Sequence, residues 1–339
     1  MASLIKKISE INAVSGNESE LRRYLTEHLK ADSITVDSIG NVVAMKKGTD
    51  RQGRIMVVTH MDEAGFIVSG ITEKGYLRFK PVGNIDMNTV ISKKVVIGKD
   101  QVKGVIGMKA IHLQTREERQ NTVPASKLFI DIGSKSKKEA LQQVQLVYFI
   151  TFDTKCARAN GIIKGKALSR CGIIPVLGEM EKISGSELYF VFTAQKETGM
   201  RGASILARQI EPDAVITVDT AATDDTFGTK PENRTIRLGG GVIIPAMDRY
   251  SIYDRELLEK TEKLAKELKL PYQKAIIKQE FADTGAIQYG ANGARCVNLS
   301  IPCRYAKTPV EMVSEKDLLT TELLLGGLIE NIDEWTEGK

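Results

Sequence analysis

The chain opens with apolar residues at helical spacing. Leu4, Ile5, Ile8 and Ile11 predict a first helix, and residues 20–29 predict a second after the Ser15-Gly16-Asn17 breaker. Short β-type runs follow at 34–36 and 42–45, and a continuous apolar run at 55–58 reads as a buried strand. That strand ends on Thr59-His60-Met61-Asp62, where the apolar run gives way to ionisable side chains.

From about Gly65 to Gly161 the texture changes. Short β-type runs at 76–79, 95–97, 102–106, 128–132 and 147–152 alternate with glycines and charged turns, and only 135–142 has helical character. The pattern predicts a small all-β insert, barrel-like or sandwich-like. Beyond Gly165 strands expected at 189–193, 214–218 and 296–301 alternate with helices expected at 202–210, 253–268 and 316–332. Alternation of this kind predicts an α/β fold, a sheet covered by helices. The large domain is therefore expected to be split, residues 1–65 joining 162–339, with 66–161 inserted between them.

Composition narrows this picture only a little. A length of 339 residues exceeds what one small core organises, and 42% hydrophobic with 27% charged residues is ordinary for a globular protein. A net charge of +5 without a run of like charges argues against nucleic acid as a partner. The N-terminal residues lack the apolar stretch of a signal peptide, and no run reaches membrane-spanning length. The four cysteines, Cys156, Cys171, Cys296 and Cys303, have neither disulfide-framework nor zinc-knuckle spacing, so reduced thiols in a cytoplasm are expected.

Chemistry collects at strand ends. In α/β sheets, ligands bind beyond the carboxyl ends of the strands. Here one expected strand ends on His60 and Asp62, a second on Lys196 and Glu197, a third on Asp219, and a fourth leads into Arg304, Tyr305 and Lys307. Each alone is an ordinary solvated loop residue. Four convergent ends predict a shared polar site.

The same segments resemble, in order, the motifs of the glutamyl or deblocking aminopeptidases, the tetrahedral aminopeptidase family, some of whose members carry the name cellulase M. The run His60-Met61-Asp62-Glu63-Ala64-Gly65-Phe66 is similar to that family's first metal motif. Gly104-Val105-Ile106-Gly107 with His112, Gly165-Lys166-Ala167-Leu168 and Glu197-Thr198-Gly199-Met200-Arg201-Gly202-Ala203 follow. Val218-Asp219-Thr220, Asp283-Thr284-Gly285-Ala286 and Ile301-Pro302-Cys303-Arg304-Tyr305 complete seven collinear matches.

The resemblance implies a zinc-aminopeptidase-like mixed sheet and a crevice holding two divalent ions, zinc or cobalt, that activate water for release of N-terminal amino acids. It implies His60 and Asp219 as ligands of the first ion, Glu197 as a ligand of the second, and Asp62 as the carboxylate orienting His60. It also implies dimers, built through the β insert, that assemble into a tetrahedral dodecamer. Asp283 falls in the loop that lies near the substrate amine in relatives.

Three implied roles are unfilled. Ser169 stands where the family has its bridging Asp, Lys196 where it has the catalytic Glu, and Lys307 where it has a His ligand; Arg170 departs from the family pattern beside Ser169. A serine hydroxyl is a poor bridge, and a protonated lysine offers a metal no lone pair. The expectation is therefore no bound ion or one weakly bound ion, with Lys196, Lys307 and Arg170 as charge partners of Asp62, Glu197 and Asp219.

The reading that follows is a hydrolytically impaired aminopeptidase homologue that holds peptides or small ligands. As a homo-oligomer it would form dimers or a dodecamer, or co-assemble with active relatives. A single-ion exopeptidase on His60, Asp219 and Glu197 is the alternative. Glycan hydrolysis by a Glu197–Asp219 carboxylate pair is a third reading.

Overall fold

In the computed structural model, residues 1–49, 53–290 and 293–336 are described. An 11-stranded mixed sheet carries the larger part of the chain. Its central strands are Glu187–Thr193, Arg54–His60, Ala214–Ala222 and Arg295–Arg304, side by side and parallel.

These strands read as unbroken apolar runs because both of their faces are covered. Ile55 and Val57 enter one apolar core with Phe190, Phe192, Ile216 and Val218. Met56 and Val58 point the other way, into a second core with Val191 and Val215. Side chains alternate across a strand, so a two-sided burial demands apolar residues at every position. The run can turn polar only where the strand emerges from between the helices, which is its carboxyl end.

The helix Arg201–Ile210 closes one face, burying Gly202, Ala203, Leu206, Ala207 and Ile210. The long helix Glu315–Thr336 packs on the other, where Leu318, Leu324, Leu325, Leu328 and Ile329 join the larger core. Gly202 is required by proximity: a Cβ there would lie 2.0 Å from Asn41 Oδ1 and 2.6 Å from the Ala194 carbonyl. The helix therefore starts directly beneath the end of the Glu187–Thr193 strand.

The insert is a closed barrel of six strands with its own core. It runs Gly65–Ile71, Leu77–Val82, Phe129–Asp131, Val102–Gly107, Lys94–Ile97 and Phe149–Phe152 around the ring. Phe66 packs edge-on against Phe79 and Phe152 at its centre. Its short helices are Lys137–Gln143, as the sequence pattern predicts, and Arg116–Gln120, which it does not.

Six strands lie where the sequence pattern predicts none: Gly65–Ile71 in the barrel, and Ala157–Ala159, Ile162–Gly165, Val242–Met247, Tyr272–Ile276 and Glu311–Ser314 in the sheet. Val242–Met247 contains Pro245, which lacks the amide a central strand must donate, and its register shifts between Pro245 and Met247. Tyr272–Ile276 has no fully buried residue and so no apolar face to recognise.

Gly202→Ala is expected to lower stability by about 1–3 kcal/mol, the range for forced overpacking. Urea unfolding, with an unchanged slope and a lower midpoint, checks it.

Candidate active site

The strand ends converge as the parallel register requires. Thr193 pairs with His60, so the loop after Thr193 stands beside the loop after His60. Asp62 ties the two together: its Oδ1 accepts from the Lys196 amide at 3.0 Å and its Oδ2 from the Glu197 amide at 2.9 Å. Non-glycine residues in left-handed backbone crowd these loops: Gln195, Met200, Ala167, Tyr305 and Lys307. Left-handed backbone costs free energy for residues with a Cβ, and it clusters where a site dictates side-chain direction.

Lys196 occupies the centre. Its ammonium lies 3.0 Å from Asp219 Oδ2 and 3.3 Å from Glu197 Oε1, and it is almost wholly buried. Burial opposes the charge, but Asp219, Glu197 and Asp283 outweigh it and hold the pKa well above the ordinary lysine value. Asp219 is the mirror image. Burial pushes its carboxyl up, while Lys196 and His60 hold it well below the usual range.

His60 is the second cation of the cluster. Its Nδ1 is 3.0 Å from the Asp62 carbonyl, and its Nε2 is 3.1 Å from the Ser169 carbonyl and 3.4 Å from Asp219 Oδ1. A carbonyl only accepts, so both ring nitrogens are placed to donate, which describes an imidazolium. Burial and the Lys196 ammonium work against that charge. Asp219 and Asp62 overcome them and hold the pKa up to about 10.

The other expected cations stand elsewhere. Arg170 is fully buried, but it turns away from Asp219 and Glu197. Its guanidinium donates to the carbonyls of Ile8, Ile11 and Met61 and pairs with Glu63 at 3.6 Å. The reason is a second buried acid, Glu63, which Lys166 also reaches at 3.3 Å and which accepts from the Ala13 amide. Lys307 makes no ion pair with Asp62, Glu197 or Asp219; its ammonium lies 5.9 Å from the centre of the Phe281 ring. Lys196 lies over the same ring at 5.2 Å.

Asp283 belongs to the cluster's edge. Its Oδ2 accepts from the Thr193 hydroxyl at 2.5 Å, its Oδ1 is buried without a partner, and burial pushes its carboxyl up to about 6. Glu311, which sequence reasoning missed, accepts from the amides of Ser169 and Lys307 at 2.9 and 2.8 Å. Burial raises its pKa to about 7. His112 lies exposed on the barrel, in the short helical turn Ile111–Leu113. Glu311 and Phe281 fall outside every motif matched, and Glu63, though inside the first, carries nothing in sequence that points to Arg170 and Lys166 as its partners.

This donor set does not fit a pair of dications. The Lys196 ammonium bridges the two carboxylates that the resemblance assigns to different ions. His60 Nε2, the nitrogen facing Asp219, is committed to the Ser169 carbonyl. Among the described residues no group of three or more His, Cys, Asp or Glu side chains is arranged to hold a metal ion.

The fold and the converging site define an aminopeptidase-type α/β scaffold with an inserted barrel. The chain belongs to the M42 glutamyl aminopeptidase family, whose model matches residues 40–324. Members of that family are generally dependent on divalent metal. A protein of Acetivibrio thermocellus to which aminopeptidase activity is provisionally ascribed is 37% identical over 335 residues, 96% of this chain and 97% of that one. The aminopeptidase of the archaeon Desulfurococcus kamchatkensis superposes with a TM-score of 0.94 at 31% identity, over 99% of this chain and 96% of its own. The TET1 peptidase of Pyrococcus horikoshii, described as assembling into a tetrahedron or a large octahedral shell, follows at 0.85 and 29%, over 97% and 98%. The chain's cysteines are all free, and among the described residues no helix is long and apolar enough to cross a membrane.

Two expectations follow from these contacts. Arg170→Met is expected to destabilise by about 3 kcal/mol, because it leaves the buried Glu63 to Lys166 alone and removes the donor that meets the Ile8, Ile11 and Met61 carbonyls; thermal unfolding measures it. For His60 the folded pKa is raised, so its contribution is whole below the unfolded value near 6.5 and fades as pH climbs toward about 10. The stability difference between the wild type and His60→Gln should therefore shrink over that window, and imidazole NMR at pH 8 should still show both ring N–H protons.

Proposed function

We propose that this chain is an aminopeptidase-family subunit that has lost hydrolysis and holds peptide-sized ligands without cleaving them. The observation that carries the reading is the Lys196 ammonium, 3.0 Å from Asp219 and 3.3 Å from Glu197. A family catalyst needs a carboxylate base at position 196, and a lysine held protonated by two acids accepts no proton. Lys196 and His60 then offset most of the negative charge of Asp62, Glu197 and Asp219 in place of metal.

Single-ion hydrolysis through His60, Asp219 and Glu197 would require Lys196 to leave both carboxylates. Glycan hydrolysis is disfavoured for a related reason: it needs one protonated carboxyl, and Lys196 and His60 hold Asp219 far toward the ionised form. In this reading residues 1–65 with 162–339 form the ligand-binding body, and the barrel within 66–161 supplies contacts between subunits. Assembly as a dimer-based homo-oligomer, in a cytoplasm, completes the proposal.

Protein dialysed against zinc or cobalt is expected to retain fewer than two tightly held ions per chain by elemental analysis, and to release no free amino acid from short peptides. Metal-dependent release that disappears in His60→Ala overturns the reading. The combined variant Ser169→Asp, Lys196→Glu and Lys307→His is expected to gain metal and peptidase activity together, since it restores the bridge, the base and the last ligand.

A further inference from the structure

A cavity of about 1050 Å³ opens beside the charge cluster, bounded by the strand Tyr272–Ile276, the helix Arg255–Glu267 and the loop after Ala222. Its wall is apolar along Ile236, Ile244, Leu258 and Ile277. Two opposite charges, Lys307 and Glu280, line the end beside Phe281, whose ring both Lys307 and Lys196 face.

Most other carboxylates and cations of the wall already have partners; Lys278 and Glu232, which have none among the described residues, are exposed, whereas Lys307 and Glu280 are half-buried. Lys274 pairs with Glu262 at 2.7 Å, Arg255 with Glu259 at 2.9 Å, and Asp224 accepts from the amides of Thr235 and Ile236. Lys307 and Glu280 differ. Both line the same wall, and among the described residues they form no ion pair; burial raises the Glu280 carboxyl above its usual range and the Lys307 charge offsets only part of that.

Glu280 Oε2 accepts from the Ala222 amide at 2.6 Å, and no hydrogen bond among the described residues engages its Oε1. The Lys307 ammonium has only the face of Phe281. Nor is Lys307 loosely placed. Its left-handed backbone (φ 64°) is clamped by its own amide donating to Glu311 and by its carbonyl accepting from the Asp86 amide at 3.2 Å. Backbone strain held by contacts on both sides marks a side chain aimed on purpose.

We propose that this end of the cavity is a zwitterion site. A ligand carboxylate pairs with Lys307, its α-ammonium pairs with Glu280, and its side chain lies along the apolar wall. The ligand class is an apolar α-amino acid or short peptide with both ends free. The proposal rests on the non-hydrolytic reading, since it uses Lys307 as an anion partner and not as a replaced ligand. A charged pair separated by a gap gains when a ligand of matching charges fills it, because each half-buried charge acquires a direct, hydrogen-bonded partner.

The test is calorimetric titration of the full chain with leucine, leucinamide, N-acetylleucine and Leu-Gly. Leucine or Leu-Gly is expected to bind, the stronger of the two telling amino acid from peptide. Leucinamide and N-acetylleucine are each expected to bind at least ~10-fold more weakly than leucine, about 1.4 kcal/mol. In Lys307→Gln, leucine and leucinamide should bind alike; in Glu280→Gln, leucine and N-acetylleucine should. Lys307→Arg should restore the discrimination, and circular dichroism checks that each variant is folded.

The site is overturned by blocked ligands that bind as well as leucine, by variants that keep the discrimination, or by no binding of either free ligand up to ~10 mM. Release of leucine from Leu-Gly by zinc- or cobalt-loaded protein would instead overturn the non-hydrolytic reading, and the blocked-ligand comparison would still judge the site.

Discussion

One buried ammonium organises the crevice. Lys196 lies between Asp219 and Glu197, and the two acids are close enough that neither stands comfortably there without a cation between them. In water such a pairing is worth little; out of water it decides which groups are charged. Two divalent ions would supply that positive charge and also activate a water. An ammonium supplies the charge alone. The crevice therefore keeps the architecture of its relatives, with an ammonium at the point where the proposed reading expects a proton acceptor to be missing.

The surrounding contacts follow from that centre. Asp62 uses both oxygens to fix the backbone on which Lys196 sits, and its carbonyl and carboxylate together face one nitrogen of His60. The other nitrogen meets the carbonyl of Ser169, so the ring is placed to donate on both sides. A few ångströms away, Glu63, Lys166 and Arg170 form a separate buried network that joins the N-terminal segment to the sheet. The two networks are neighbours in sequence and in space but differ in purpose: one shapes the crevice, the other holds the scaffold.

How much of this was legible beforehand depends on how local the signal is. The central strands announce themselves because two-sided burial leaves unbroken apolar runs, as at 55–58 and 214–218. The barrel announces itself through short β-type runs between glycine turns. Val242–Met247 stays hidden because Pro245 contradicts a central strand, and Tyr272–Ile276 because an edge strand without a buried face has no pattern to show. Arg170 misleads for a similar reason. Its place beside Ser169 suggests the crevice, but its direction is set by Glu63 and by the carbonyls of the first helix, which are distant in sequence.

Sequence by itself determined the family and the mixed sheet with an inserted barrel, since motif order and residue chemistry need no coordinates. The expectation that Ser169, Lys196 and Lys307 replace a bridge, a base and a ligand rests on the resemblance. Only the tertiary structure decided which cations serve the cluster. Lys196 and His60 do so, Arg170 belongs to Glu63, and Lys307 turns toward the cavity it shares with Glu280. The physical reason is that a charge's partner is fixed by distance and burial across strands and loops far apart in the chain, and neither quantity is written in the order of the residues.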